Sequence, residues 1–533
     1  MKRLAILISL FLACGVCAIG QNMPIKWLHI YRYDAAFTSI PMPDITGIEF
    51  YGTEDLARKI VVSTTSTKES IPLSSVEKCA FGPNVPWLEI TTDTYIDEIA
   101  SKEEYMAADF TLHGYGIYDD VQGRLNIRGR GNSTWGLPKK PYRLNFSSKI
   151  SLCGLKKAKN YALIAHYIDP TAMTNPIALK TAQLLEMPYT NHAVPVNVTL
   201  NGRYRGSYML TEKIGINGAS VDIDEAQSIL FELDANYDED YKFKSNCFGL
   251  PVMVKDPDMT DDLFAKWKAD FNQMEKYVYL ENAEKVAEML DFNSLAKFAL
   301  VMNLTVNREL NWPKSTYIYK TEGGKYCFGP MWDFDWAYGF YPQTGEYLID
   351  EARCVLYEAG QEYVGGRFFR KLFKMTAFRT EYEAVVTDFL KNKLYQLLEY
   401  IDSYAAAIEP SMAWNATLYS QTRYFKEHID NLRAIVEMRA TLIGNAADNY
   451  YLYELSLHSQ STNLWCKKTL SRFTKKVSAN TATSRLLPTT PRRKLSLTAN
   501  WHVTLPRCTS YSSNAALSKA TRLPCWERTP STG

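Results

Sequence analysis

Residues 329–340 read GPMWDFDWAYGF and place Asp333 and Asp335 one residue apart among Trp332, Phe334 and Trp336. On a β-strand alternate side chains share a face. The spacing therefore predicts both carboxylates on one face, with the aromatics anchored on the other. Such a pair suits Mg²⁺, a hard cation held by one or two carboxylates together with substrate phosphates and water. An acidic strand edge is the plain alternative. Upstream, TVNRELNWPKSTYIYK (305–320) crowds Asn307, Arg308, Glu309 and Asn311 at the exit of a hydrophobic helix that Pro313 ends. Glu309 there can act as a base, with the amides as ligands for metal or phosphate; polar residues meeting solvent at a helix end are the alternative.

Positive charge for an anionic ligand is offered by LNIRGRGNSTWGLPKKPYRLNF (125–146). Gly129 and Gly131 flank Arg130 at a strand end, and the following strand sets Lys140, Tyr142, Leu144 and Phe146 on one face and Arg143 on the other. A glycine-rich turn lets backbone N–H groups approach an anion. In GSYMLTEKI (206–214), Glu212 ends a strand, either solvated or as the ion-pair partner of a phosphate-binding lysine. DANYDED (234–240) begins like a calcium loop but has Glu239 at its sixth position and Ser245 at its twelfth, so it reads as a solvated acidic loop. His166 and His192 lack a second His or Cys at ligand spacing and read as structural.

These residues need elements to hold them. From Trp87 to about Asp261 strand patterns dominate, including a hairpin turning at Asn201-Gly202 and one helix over Thr174–Glu186. After Asp262 helical spacing takes over in four runs, 263–280, 283–304, 368–408 and 423–445. They are interrupted by a β segment with a turn at Gly323-Gly324 that ends in the aspartate motif. The expected fold class is α+β with a cleft between a β-rich and a helical lobe. Before this, SIPMPDITGIEF (39–50) and SIPLSSVEKCAF (70–81) form a two-unit repeat, read as β-hairpin-like units of a small β module over 22–85.

The chain of 533 residues is 46% hydrophobic and 13% aromatic, which fits a folded protein and not a disordered one. Its net charge of +2 hides an asymmetry. From Leu455 onward there are 13 Lys/Arg against the single acid Glu527, leaving 47 basic and 57 acidic residues before it. The mildly acidic folded part gives no support to nucleic-acid binding. The tail, 455–533, reads as a disordered basic segment or the product of a reading-frame artefact. MKRLAILISLFLACGVCAIGQ has the form of a signal peptide over 1–20, with Gln21 as the first mature residue and a lipoprotein site at Cys14 as the lesser reading. No later stretch is long and apolar enough for a transmembrane span. Cys79, Cys153, Cys247, Cys327 and Cys354 are scattered, so neither a zinc site nor a dense disulfide framework is expected.

Taken in order, the RGRGNSTWGLPKKPYRLNF block, the MLTEKI strand, the NRELNWPKSTYIYK loop and GPMWDFDWAYG resemble the spore-coat protein H (CotH) kinase family over roughly residues 87–450. The resemblance implies an atypical protein-kinase-like, two-lobed fold and transfer of phosphate from ATP, with Mg or Mn, to Ser or Thr of a secreted or surface protein. The signal peptide and β module look like the version found in exported proteins of gut and oral Bacteroidetes. It further implies that Lys140 and Arg143, with Arg128 and Ser133 in the adjoining turn, hold ATP phosphates. Glu212 matches the family's strand glutamate, Asp333 its metal-binding aspartate and Asp335 the companion. Asn307 and Glu309 fall in the catalytic loop. Active members usually carry Asp where this chain has Glu309 and Asn where it has Ser315. A kinase-fold surface protein acting in binding or adhesion, with weak or no catalysis, is the alternative function. A two-metal phosphoesterase is a weaker one, because further His and Asp ligands are missing.

Overall fold

The computed structural model describes residues 27–32, 37–51, 58–82, 85–95, 98–115, 117–341, 346–347, 363–419 and 424–448. The expected signal peptide at 1–20, with Cys14 and Gln21, and the basic tail from 455 lie outside the described residues, as does Cys354. Cys79, Cys153, Cys247 and Cys327 are all free. Among the described residues no helix is long and apolar enough to cross a membrane.

The first six strands are β1 (Trp27–Arg32), β2 (Phe37–Pro41), β3 (Ile45–Tyr51), β4 (Lys59–Thr64), β5 (Lys68–Pro72) and β6 (Val76–Gly82). They form two three-stranded sheets, β2-β1-β6 and β3-β4-β5. The sequence repeat is visible as β2–turn–β3 and β5–turn–β6, each joined by a three-residue 3-10 turn. The units are not hairpins, however. Within a unit the strands do not pair with each other; each unit crosses from one sheet to the other. Pro41 and Pro72 end the first strand of each unit, and the short helical corner turns the chain out of the ladder. Leu28, Ile30, Ile40, Ile60, Val62 and Ile71 fill the core of this module.

Seven strands close into a barrel: β7 (Trp87–Thr92), β8 (Met106–His113), β9 (Val121–Gly129), β10 (Tyr142–Ile150), β11 (Ala158–Ile164), β12 (Val194–Leu200) and β13 (Arg203–Glu212). All neighbours run antiparallel except β7 and β12. Period-two alternation sends Leu88, Ile90, Leu125, Ile127, Leu144 and Leu210 inward to one apolar core. The Asn201-Gly202 turn joins β12 to β13 with both residues at positive φ, 50° and 73°, as a two-residue hairpin of this hand requires. Helix α1 (Thr174–Leu184) interrupts the strands where the sequence placed it.

The second half is built on a five-stranded sheet of β14 (Ser228–Leu233), β15 (Lys242–Lys244), β16 (Pro251–Asp256), β17 (Thr316–Thr321) and β18 (Cys327–Phe328), in the order β15-β16-β14-β17-β18. Helices α2 (Asp261–Tyr279), α3 (Ala283–Met289), α4 (Phe292–Thr305), α5 (Val364–Lys374), α6 (Thr376–Asp388), α7 (Leu394–Leu418) and α8 (Phe425–Asp448) accompany it. The single helix expected over 283–304 is two, because Leu290 is extended and Asp291 accepts from the Ser294 N–H to start α4 afresh. The long run 368–408 likewise divides at extended Met375, and a π-turn over Phe389–Lys393 precedes α7.

One helix start bears directly on function. The N–H groups of Gly365 and Gly366 at the head of α5 donate to the Asn311 carbonyl at 2.8 and 3.4 Å, just past the 3-10 turn Arg308–Leu310 that carries Glu309. A Cβ on Gly365 would run into the Leu310 carbonyl oxygen and lie 2.8 Å from that of Asn311. Gly365→Ala should therefore displace this turn and cost about 1–3 kcal/mol as an overpacking change. Urea unfolding of the variant measures that loss.

Candidate functional site

A cavity of about 520 Å³ is walled by Arg130–Thr134, Lys139 and Pro141 from the loop after β9, the chain leaving β11 (Ile164–Tyr167), Asn175 of α1, Glu232 of β14 and Asp234 just past it, Lys255, Glu309, Lys314–Ser315, and Trp332, Asp333, Asp335 and Trp336. Residues from distant parts of the chain therefore face one space.

Asp333 and Asp335 both reach this cavity, though not from a strand. β18 ends at Phe328, and residues 329–337 run irregularly after Gly329-Pro330, with Asp333 in the left-handed region at φ 65°. Pro330 has no N–H to offer a ladder, so the strand cannot continue through it. The aromatics do not share a face either: Phe334 is fully buried, Trp332 half-buried and Trp336 exposed. Two buried asparagines replace the strand as the support. Asn175 Nδ2 donates to Asp335 Oδ1 while its Oδ1 accepts the Phe334 N–H at 2.9 Å. Asn307 Nδ2 donates to the Asp333 carbonyl at 3.1 Å. Asn175 is itself held by the start of α1, where buried Asp169 accepts from the N–H groups of Thr171, Met173 and Thr174 and from both threonine hydroxyls.

The turn with Glu309 follows from the sequence at the end of α4. Val306 closes the helix at φ 52°, and Asn307 Oδ1 accepts the Glu309 N–H at 3.1 Å. Glu309 lines the cavity; Asn307 does not, and acts by holding the Asp333 backbone and the turn. Burial, then the charges of Asp333 and Asp234, push Glu309 up to about 7 against the pull of Lys314. Asp335 is pushed up to about 8 by burial and by Asp333, and burial raises Asp333 as well. Ser315, at φ 45°, has its hydroxyl 3.4 Å from Asp333 Oδ2.

The cations expected from the sequence are displaced by one or two residues. Ser133 lines the cavity, but Arg128, Lys140 and Arg143 do not. Arg128 and Arg143 are register partners on β9 and β10, and alternation turns both to the outside of the barrel, over the Tyr105 ring. Arg128 Nη1 donates to the Glu103 carbonyl at 3.0 Å, and Arg143 to Asn160 Oδ1 at 3.1 Å. Lys140 folds back onto its own loop, donating to the Trp135 carbonyl at 2.7 Å. Arg130 and Lys139 take the cavity positions. The Arg130 guanidinium lies 5.3 Å from the centre of the Trp332 ring and feels the charges of Asp333 and Asp335. Lys139 is buried, which pushes it down to about 7, and its ammonium donates to the Ser207 carbonyl and Asn415 Oδ1. Glu212 lies outside the cavity. It shares strand parity with Tyr208 and Leu210 of the barrel core, and its carboxylate meets His192 Nδ1 at 2.6 Å.

Sequence reasoning passed over three further residues. Asp234, assigned to a solvated loop, is buried at the cavity wall and accepts from the Asn236 and Ser315 N–H groups. Lys255 bridges Glu232 at 3.0 Å and Glu239 at 2.5 Å. His166 is 4% exposed, has φ 52°, and lines the cavity with Nδ1 3.9 Å from Asp335 Oδ1, outside hydrogen-bond reach. Neither ring nitrogen has a partner. Burial holds its imidazole down at about 4, so the ring is neutral at pH 7. Two unpaired buried polar atoms beside a cavity fit a side chain that meets a ligand. His166→Leu should leave stability without ligand within ~1 kcal/mol of the parent, since it removes groups that have no partner. The same variant should lose about tenfold, ~1.4 kcal/mol, in affinity for a ligand that fills this cavity. Urea unfolding and ligand-dependent thermal shift separate the two. No spacing signal marks His166, because Asp335, the acid nearest its ring, lies far along the chain from it.

Burial, and for Asp335 the charge of Asp333, raises the proton affinity of both carboxyls against the pull of Arg130, so a bound cation would offset a cost already present. Among the described residues no group of three or more His, Cys, Asp or Glu forms a metal cage. That donor set suits Mg²⁺ or Mn²⁺ completed by phosphate and water oxygens better than a closed zinc-type site. No curated protein matches the chain. The family model described as CotH kinase protein matches residues 127–443, from inside β9 through most of α8, and with more than half its length covered the chain belongs to the CotH kinase family.

Proposed function

We propose that this protein is an exported, atypical kinase that transfers the γ-phosphoryl group of ATP to a Ser or Thr hydroxyl of a secreted or surface protein. The barrel and the helical half serve as its two lobes. The observation that carries this reading is the convergence of Arg130, Asp333, Asp335 and Glu309 on one cavity, basic groups from the barrel loop opposing acidic groups from the second half. Phosphoryl transfer needs positioning and charge neutralisation more than covalent help from the protein. Asp333 and Asp335 would hold Mg²⁺ or Mn²⁺, which supplies positive charge to the phosphate oxygens. Arg130 offers the fixed planar cation suited to a phosphate group. The acceptor oxygen forms a bond to the γ-phosphorus as the bond to the β–γ bridging oxygen breaks, and ADP leaves. The hydroxyl proton passes to the Glu309 carboxylate. A group pushed up to about 7 is matched to that task near neutral pH.

The test is incubation of the full chain with γ-labelled ATP, Mg²⁺ or Mn²⁺ and a generic protein acceptor. Transfer that disappears in Asp333→Ala supports the kinase reading. No transfer by either protein, with no stabilisation by ATP and metal, leaves the adhesion or binding module as the reading.

A further inference from the structure

A second space opens on the far side of Glu309. It has a volume of about 240 Å³ and is lined by Val306, Arg308, Glu309, Trp312, Trp336, Gly339, Phe340 and Tyr341. Glu309 and Trp336 line both this pocket and the larger cavity, so the two spaces meet at the carboxylate. Among the described residues, the two tryptophans exposed to solvent are Trp312 at 40% and Trp336 at 44%, and both border this pocket. Tyr363, also exposed, packs edge-on against Trp312 with ring centres 4.6 Å apart. Exposed indoles gathered at one opening are a recognition surface, because large rings bury much apolar area at low entropic cost. At about 30 Å³ per water, the pocket holds the volume of roughly eight waters, enough for one large side chain.

We propose that this pocket docks the acceptor polypeptide, taking an aromatic or other large apolar side chain next to the hydroxyl residue that Glu309 meets. This rests on the kinase reading above for the identity of the reaction, but its binding element stands on the pocket alone. A peptide fits better than a sugar. The lining is mostly apolar, its charged groups are Arg308 and Glu309, and Arg308 Nη1 already donates to Tyr341 Oη at 2.9 Å. A sugar ring would bury several hydroxyls with few partners, each at a cost. A phenyl side chain asks only for apolar walls, and burying it is worth about 1.5–3 kcal/mol.

The test uses the full chain and fluorescein-labelled, otherwise alanine-based peptides with one Ser and a Phe placed one or two residues to either side, against the same peptide without Phe. Anisotropy without nucleotide should show one Phe peptide bound at least about tenfold tighter than the parent peptide. Trp312→Ala should erase that preference and Trp312→Phe should restore part of it. ATP with Mg²⁺ should still raise the melting temperature of Trp312→Ala, which establishes that the variant is folded with its larger cavity intact. Equal binding of all peptides, a preference unchanged in Trp312→Ala, or binding of soluble oligosaccharides in place of peptides would each overturn the proposal. If the Phe preference appears while ATP neither binds nor reacts, the kinase reading fails and the docking pocket stands. Transfer without any Phe preference removes the docking pocket and leaves the kinase reading standing.

Discussion

Glu309→Gln should lower phosphoryl transfer by about 10²–10⁴-fold, the range for loss of a general base, while ATP-dependent stabilisation stays near the parent value. Gln keeps the size and the backbone contacts of the turn, including the N–H that Asn307 accepts, and removes only the proton acceptor. The parent kcat/KM should rise as pH climbs through about 7, because in the free enzyme burial and the Asp333 charge hold Glu309 protonated below that point. Glu309→Asp is the informative companion. The turn is fixed from behind by Asn307 and the head of α5, so the carboxylate of Glu reaches further into the cavity than that of Asp would. Displacement by about 1 Å changes rates by up to about 100-fold. If the turn is set for the longer side chain, Glu309→Asp is slower than the parent; if it is set for Asp, the variant is faster. A pH–rate profile and single-turnover measurements on the three proteins decide the role of Glu309. A Gln variant as active as the parent would remove it from the chemistry.

Asp335→Asn should stabilise the metal-free protein at pH 8, by at most about 6 kcal/mol for a shift of about four pKa units at about 1.4 kcal/mol each, and abolish stabilisation by ATP with metal. The sign follows from the direction of the shift. The folded-state carboxyl is raised to about 8, above its ordinary 3.8, so the folded protein holds a proton that the unfolded chain has released. Its contribution is full below about pH 4 and is lost as pH rises through about 8. Asn at this position keeps the acceptor for Asn175 and never ionises. The advantage of the variant should thus be small at pH 5 and several degrees of melting temperature at pH 8. Part of the effect belongs to Asp333, whose charge raises both Asp335 and Glu309. Thermal melts of parent and variant across pH 5–8, with and without Mg²⁺ and ATP, test it. A pH-independent difference between the two would mean that Asp335 is not the strained group.

Local chemistry was legible in the chain to different degrees. The Asn201-Gly202 and Gly323-Gly324 turns appear where the residues put them, with Asn201, Gly202 and Gly323 at positive φ, because a turn that needs the left-handed region is specified by the residues that can enter it. The outward position of Arg143 also follows from simple alternation along β10. The loss of Arg128, Lys140, Arg143 and Glu212 from the cavity has a different origin. Each lies within two residues of, or on the same strand as, a residue that does line it, namely Arg130, Lys139, Pro141 and Met209. Strand spacing gives parity, but it does not say which side of a closed barrel meets the other half of the molecule.

The sequence by itself determined the family, the α+β alternation, and the residue types that face one another: Asp333, Asp335, Glu309 and Ser133, with basic residues from the RGRG block. These are short-range signals, set by side-chain identity and spacing within about twenty residues. Only the tertiary structure decided that Asp333 and Asp335 are carried by an irregular, asparagine-braced segment instead of a strand. It also brought His166, Asn175 and Asp234 to the same cavity and set an aromatic pocket behind Glu309. Those facts depend on contacts between residues 26 to 160 apart in sequence. Such contacts are set by how the barrel, α1 and the second sheet pack, and no local pattern encodes that packing.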